Sequence, residues 1–190
     1  MSLVIYKKDP HTKKVVFASD GMETTSYTVR KHYRKKMLMD EETNTCIGGV
    51  GSSYVNTHVL ANFSNIINNL NTIYRRDLTD QNILINENNI CEIFSDYLSN
   101  DKFKVEDSDY SFQCLLLING TDLYYIETYR NLKQVEVTFI KDNYFAIGYG
   151  MDFALGALDC NCSVEKAFSV VHDRTISINN NISKFEFYYE

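Results

Sequence analysis

The sequence predicts an α+β protein in which strands and helices form separate layers. Residues that alternate between apolar and polar mark strands in both halves of the chain, and apolar residues at helical spacing mark helices between them. The 190 residues include one proline, and no segment rich in serine, glycine or proline divides them. We therefore expect a single domain that covers residues 1–190.

The N-terminal part is predicted to begin as a strand hairpin. Apolar residues dominate positions 3–6 and 15–18, and residues 9–11, which include the proline, break the run between them. Three further short strands follow, at residues 27–29, 37–39 and 45–47. The first quarter of the chain is thus expected to consist of strands and turns.

A helix is predicted after the glycine-rich segment 48–51. Ser52 or Ser53 can accept hydrogen bonds as its N-cap, and apolar residues then recur at helical spacing up to Leu70. The continuous pattern favours one uninterrupted helix over residues 55–70. A polar loop is predicted at residues 82–89, and a second helix at residues 90–98.

The second half returns to strands and then to helices. Strands are predicted at residues 114–118, 123–127 and 135–139, and the dipeptide Asn119-Gly120 predicts a tight hairpin turn between the first two. Further helices are predicted at residues 152–158 and, capped by Ser163, 164–172, followed by a last strand at 185–189.

The charge balance argues against a nucleic-acid-binding protein. The formal net charge is −6 and the pI is about 5.2, whereas phosphate contacts need clustered lysine and arginine. A basic run does occur, and its side chains are typical of a solvated strand edge. It consists of Arg30, Lys31, Arg34, Lys35 and Lys36.

The compartment predicted from the sequence is the cytoplasm. No apolar stretch approaches the length that spans a bilayer, and the first residues lack the apolar core of a secretion signal. The five cysteines are odd in number and have no paired spacing, which suits a reducing compartment. We expect no membrane association.

Neither a metal nor a cofactor is expected. Cys160, Cys162 and His172 fall short of the four ligands of a closed zinc site. The segment 48–53 is rich in glycine but lacks the Gly-Lys-Ser/Thr ending of a phosphate-binding loop. The four histidines form no spaced cluster, so their order predicts no catalytic triad.

Two segments carry a resemblance to a known family. Residues 15–21, Val-Val-Phe-Ala-Ser-Asp-Gly, resemble the second strand of proteasome β-type subunits and of the bacterial peptidase HslV. Residues 145–158, which contain Ala-Ile-Gly before a helix of small residues, resemble the Ala-Ile-Gly-Ser-Gly segment of the same family. The resemblance spans nearly the whole chain in the right order. It implies the four-layer αββα sandwich of the N-terminal nucleophile (Ntn) hydrolases.

The resemblance also implies a catalytic mechanism and its residues. Members of the family cut peptide bonds with the hydroxyl of an N-terminal threonine, and the free α-amine serves as its base. Asp20 matches the aspartate that orients a lysine, and Lys36 matches that lysine, although a slip by one residue to Lys35 stays open. Without the family, one Asp and one Lys in a basic run more often form a surface pair.

Further positions match the family in part. Gly51 matches the glycine whose N–H forms the oxyanion hole, Thr24 a position that binds the substrate main chain, and Asp173 an aspartate that supports the nucleophile. Tyr149 stands where most active members have serine, and Ile176 where many have a second serine. Tyr149 would therefore reach into the substrate pocket.

The nucleophile is the largest departure from the family. The first threonine is Thr12, in the predicted hairpin turn, so Ser2 is the candidate nucleophile after removal of Met1. Alternatively, Met1-Ser2-Leu3 is typical of a leader added for expression, and the chain then has no nucleophile.

Two functions follow from the resemblance. One is a peptidase subunit of a self-compartmentalising homo-oligomeric ring, acting on polypeptides that an ATP-dependent unfoldase delivers. The other is a non-catalytic scaffold or protein-binding module with the same fold, which the altered positions 149 and 176 favour.

Overall fold

The computed structural model describes residues 2–24, 29–33, 36–77, 85–98, 111–129, 134–175, 178 and 181–189. Within these ranges the chain alternates groups of strands with groups of helices. The strands are β1 Leu3–Asp9, β2 Lys14–Asp20, β3 Met22–Thr24, β4 Val29–Tyr33, β5 Met37–Asp40, β6 Thr45–Gly51, β7 Phe112–Ile118, β8 Asp122–Tyr129, β9 Gln134–Ile140, β10 Tyr144–Gly148 and β11 Ile182–Tyr188. The helices are α1 Ser53–Ala61, α2 Phe63–Asp77, α3 Glu87–Leu98, α4 Met151–Asp159 and α5 Val164–Arg174.

Two antiparallel sheets organise the described strands. One has the order β10-β1-β2-β11 and the other β5-β6-β7-β8-β9, while β3 and β4 pair as a separate ribbon. The first strand of the chain therefore lies inside its sheet, where Leu3 is opposite Gly148 on β10 and Val4 is opposite Ser19 on β2. The start of β1 is therefore held by pairing with β10 on one side and with β2 on the other.

Three apolar cores hold four layers together. Successive side chains on a strand point to opposite faces, so Leu3 and Ile5 pack against α4 and α5 while Val4 and Tyr6 face the other sheet. The other sheet packs its outer face against α1, α2 and α3, and its inner face contributes residues such as Leu115 to the core between the sheets. The layers thus run helix, sheet, sheet, helix, which confirms the predicted αββα class.

The uninterrupted helix predicted over residues 55–70 is wrong. The chain forms two helices, α1 and α2, that meet at Asn62. The Asn62 side-chain amide donates to the carbonyl of His58 at 2.9 Å, and its backbone N–H reaches the carbonyls of His58 and Val59, both at 3.1 Å. An asparagine that competes for the backbone carbonyls of the preceding turn ends the helix there.

The predicted polar loop at residues 82–89 extends too far. Its last three residues already belong to α3, because Asn86 caps the helix: its side-chain oxygen accepts from the N–H groups of Asn88 at 3.0 Å and Asn89 at 3.1 Å. Residues 81–84 lie outside the described ranges.

The remaining local predictions agree with the structure, with small shifts. Asn119 and Gly120 have φ of 52° and 71°, the left-handed conformation of the two central residues of a tight hairpin turn, and the N–H of Thr121 closes this turn on the carbonyl of Ile118 at 3.1 Å, so that residues 119–121 connect β7 to β8. Strand β10 was not predicted as a separate strand, and β11 begins three residues earlier than predicted. Of the strand predicted at 27–29, only Val29 lies in the described part of the chain, in β4.

None of the described helices is both long and apolar enough to cross a bilayer.

Helix α5 offers a test of local stability. Ser163 is its N-cap, and the side-chain oxygen accepts from the N–H of Lys166 at 3.2 Å. We expect Ser163→Ala to lower the free energy of unfolding by about 1 kcal/mol, measured by urea denaturation. Ser169→Ala, in the same helix, is the matched control and should have little effect, and equal losses in both variants would contradict the capping role.

Candidate active site

The first residues of the chain are fixed by two backbone hydrogen bonds. The N–H of Leu3 donates to Oδ1 of the buried Asp20 at 2.8 Å. The N–H of Tyr149 donates to the carbonyl oxygen of Ser2 at 2.8 Å. Because these two groups come from the end of β2 and from the residue after β10, on opposite sides of β1, the position of Ser2 is determined on both flanks.

A buried ion pair lies next to this anchor. Lys36 Nζ donates to Asp20 Oδ2 at 2.9 Å, and the side chains of Lys36 and Asp20 are 5% and 0% exposed. The interpretation of these two residues as a surface pair is therefore wrong. The cost of burying these charges is offset because one oxygen of the carboxylate binds the ammonium and the other binds a backbone N–H. Lys35 lies outside the described residues.

A pocket of about 470 Å³ opens at this end of the two sheets. Its walls come from the start of β1, the end of β6, the start of β7 and the end of β10. It is lined by Ser2, Val50, Gly51, Gln113, Gly148 and Tyr149. The pocket therefore contains three residues that the sequence singled out: Ser2, Gly51 and Tyr149.

Two glycines are required for the pocket to form. Gly51 and Gly148 have φ of 97° and 98°, which side chains disfavour. A Cβ at Gly148 would lie 2.1 Å from the carbonyl oxygen of Ser2, and a Cβ at Gly51 would lie 2.3 Å from that of Ser111. Both glycines let backbone segments approach closely at the pocket wall.

The alternation of β6 determines where the N–H of Gly51 points. The N–H of Gly49 donates to the carbonyl of Lys36 on the β5 side, and the N–H of Ser52 donates to the carbonyl of Ser111 on the β7 side. Because N–H directions alternate along a strand, the N–H of Gly51 points to the β5 side of β6, away from β7.

The other predicted residues lie further away or are described only in part. Tyr149 is 45% exposed, so its ring extends from the pocket wall toward solvent. Asp173 is exposed near the C-terminal end of α5 and does not line the pocket. Thr24 is the last residue of β3. Ile176 lies outside the described residues.

Gln113 is a pocket residue that was not predicted from the sequence. This residue lines the pocket from β7, where the next inward-facing positions are the buried Leu115 and Leu117. A polar residue at an inward position of an otherwise apolar strand was the signal that could have identified it. Within the described ranges, no group of three His, Cys, Asp or Glu side chains is placed to hold a metal ion.

Comparison with known proteins identifies the fold. No family model matches the sequence, and no curated protein matches it. Among solved structures, HslV from Trypanosoma brucei matches with a TM-score of 0.67 over 98% of this chain and 99% of that chain, at 15% identity. The chain has the fold of HslV, a proteasome-like Ntn hydrolase.

Other structures with the HslV fold match as well. BPH from Thiobacillus denitrificans, solved in complex with epoxomicin, gives a TM-score of 0.65 at 12% identity, with coverage of 99% of this chain and 98% of that one. Anbu from Yersinia bercovieri gives 0.59 at 12% identity, with coverage of 99% and 81%. These likenesses establish the fold, which is the fold that the resemblance in the sequence implied.

Proposed function

We propose that the chain is a proteasome-like peptidase subunit whose nucleophile is Ser2, exposed as the first residue after removal of Met1. One arrangement supports this proposal above all others. Ser2 shares a pocket with Gly51, and the residue after it is held by the same Asp20 carboxylate that binds the buried Lys36.

The proposed reaction uses groups that surround Ser2. The hydroxyl oxygen attacks the carbonyl carbon of a peptide bond while its proton passes to the free α-amine of Ser2. The N–H of Gly51 stabilises the resulting oxyanion, and the Lys36 ammonium, bound to the same Asp20 carboxylate as the N–H of Leu3, favours negative charge on the serine oxygen. The peptide C–N bond then breaks, the leaving amine takes the proton, and water hydrolyses the ester to restore Ser2.

The proposed subunit forms a homo-oligomeric ring. The resemblance to proteasome β-type subunits supports a ring, a polypeptide substrate and an ATP-dependent unfoldase as a partner. Met151 and Phe153, at the start of α4, are 43% and 47% exposed and offer an apolar surface to another copy. Native mass spectrometry should detect the assembly, and a monomeric mass at micromolar concentration would contradict it.

Covalent labelling tests the nucleophile. We expect an electrophilic peptide epoxyketone to add one equivalent at residue 2 of a chain that begins with Ser2, as shown by intact-mass and peptide analysis. Ser2→Ala should abolish labelling, because the hydroxyl is removed, whereas the control Ser64→Ala, at an exposed position of α2, should label normally. A chain that begins with Ser2 and does not label would disprove the proposal.

A non-catalytic scaffold is the second candidate. It is favoured by the position of Asp173, which is exposed and does not line the pocket, and by Tyr149, which takes part of the space at the pocket wall. This function predicts a stable assembly together with no labelling and no peptide hydrolysis. Stable labelling at Ser2 would exclude it.

A further inference from the structure

Gln113 occupies a place in the pocket that the proposed reaction does not use. It lies on β7 directly opposite Val50 of β6, and both residues line the pocket together with Ser2 and Gly51. Its inward-facing neighbours along β7 are apolar and buried. A half-buried amide at the end of an apolar row costs stability unless its polar atoms have partners.

One partner of this amide is Glu127. The two residues are directly opposite each other on β7 and β8, and Gln113 Nε2 donates to Glu127 Oε1 at 2.7 Å. The other carboxylate oxygen accepts from the hydroxyl of Tyr129. Partial burial alone would raise the pKa of Glu127, but the hydrogen bonds from Tyr129, Gln113 and Tyr125 outweigh it and lower the pKa.

This bond fixes the orientation of the amide. An ionised carboxylate can only accept hydrogen bonds, so Gln113 must turn its NH₂ group toward Glu127. The carbonyl oxygen Oε1 is then on the opposite corner of the amide, away from Glu127. Glu127 on β8 and Val50 on β6 lie on opposite sides of Gln113, so the acceptor is on the side of the pocket residue Val50 and the carboxylate is on the other side.

We propose that Gln113 determines substrate specificity by accepting a hydrogen bond from the cationic side chain, lysine or arginine, of a peptide bound in this pocket. Glu127 acts as a positioning residue that holds the amide and adds electrostatic attraction for the cation. The inference rests on the proposed function, because it takes the pocket lined by Ser2 to be the peptide-binding site. Lys36 is buried and does not line the pocket, so its ammonium does not take the place of the cation beside Gln113.

Equilibrium binding to the Ser2→Ala chain tests this inference without cleavage. The probes are pairs of acetylated, amidated alanine-rich peptides that carry one lysine or, at the same position, the uncharged norleucine. In a series of such pairs, the lysine or norleucine stands at each position of the peptide in turn. The Kd of every peptide is measured by fluorescence anisotropy, and the best position is the one at which the two Kd values differ most. At the best position we expect lysine to bind about tenfold more tightly than norleucine, the effect of one hydrogen bond to a charged group.

Three further substitutions in the Ser2→Ala chain test whether Gln113 causes the preference for lysine over norleucine. Gln113→Leu should bring the ratio of the two Kd values close to one, because the acceptor is removed at similar volume. Glu127→Gln should lower the ratio, because the charge and the fixed orientation of the amide are lost. Gln134→Leu is the matched control, since Gln134 makes the same type of bond, to Glu136 at 3.0 Å, but does not line the pocket. It should keep the full ratio.

The outcomes separate this inference from the proposed reaction. If no position prefers lysine, or if Gln113→Leu keeps the preference, the inference is overturned even when Ser2 labels. A preference that depends on Gln113 in a chain that does not label supports the inference and disproves the peptidase. If Gln113→Leu does not fold, Gln113→Asn and Gln113→Met give the same test, and a full lysine preference in both would overturn it.

Discussion

Replacing Lys36 with methionine should lower the free energy of unfolding by about 3–5 kcal/mol, the usual cost of leaving one member of a buried ion pair without its partner. Asp20 is fully buried, and the substitution would remove the ammonium that binds its Oδ2, while the N–H of Leu3 stays on Oδ1. Urea denaturation of the variant measures the loss. Labelling at Ser2 should fall as well, because the positive charge near the hydroxyl is removed.

A double replacement separates the two effects. Asp20→Asn combined with Lys36→Met removes both charges, so most of the stability should return while labelling stays low. Lys14→Met is the control for the loss of a lysine, since Lys14 pairs with Glu186 where both side chains are about one-third exposed. It should cost less than about 1 kcal/mol. If Lys14→Met and Lys36→Met lower the free energy of unfolding equally, the buried pair contributes no more to stability than the exposed one, which would contradict this prediction.

Gly148→Ala should lower the free energy of unfolding by at least about 2 kcal/mol, because an L-residue is strained at positive φ and because the added methyl group meets a backbone oxygen. The collision is with the carbonyl of Ser2, 2.1 Å from the Cβ position. Relief requires β1 and β10 to separate at their ends, which moves Ser2 away from Gly51. We therefore expect the rate of labelling at Ser2 to fall together with thermal stability.

The matched control for this substitution lies in the following helix. Gly156 is in α4, and a Cβ there would have no atom within 4 Å. Gly156→Ala should therefore raise stability by about 0.5–1 kcal/mol, because alanine favours the helix over glycine. A Gly148→Ala chain that is as stable as the parent protein, and labels as fast, would show that the contact between Ser2 and β10 does not constrain the site.

Features with local causes were predictable from the sequence. The turn at Asn119-Gly120 depends on two residues that tolerate positive φ, and the start of α5 depends on one serine before an apolar helix. Asp20, Lys36 and Gly51 were identified through the family resemblance. Their proposed roles in the reaction remain predictions.

Features that depend on distant partners were not predictable. The burial of the pair formed by Lys36 and Asp20 follows from the packing of two sheets, so a basic run in the sequence suggested a surface instead. The place of Gln113 in the pocket follows from its register against Val50 and Glu127, on two different strands. The helix break at Asn62 has a local cause, but the continuous apolar pattern on both sides concealed it.

The pairing of β1 with β10 also affects when the site can exist during synthesis. Lys7 donates to the carbonyl of Cys162 at a separation of 155 residues, and Leu3 lies opposite Gly148. Contacts between such distant segments form late, because a long loop must close before they contribute. A nascent chain on the ribosome displays Ser2 long before β10 emerges to complete the pocket. Any chemistry at Ser2 is therefore latent until nearly the whole domain has been made and folded.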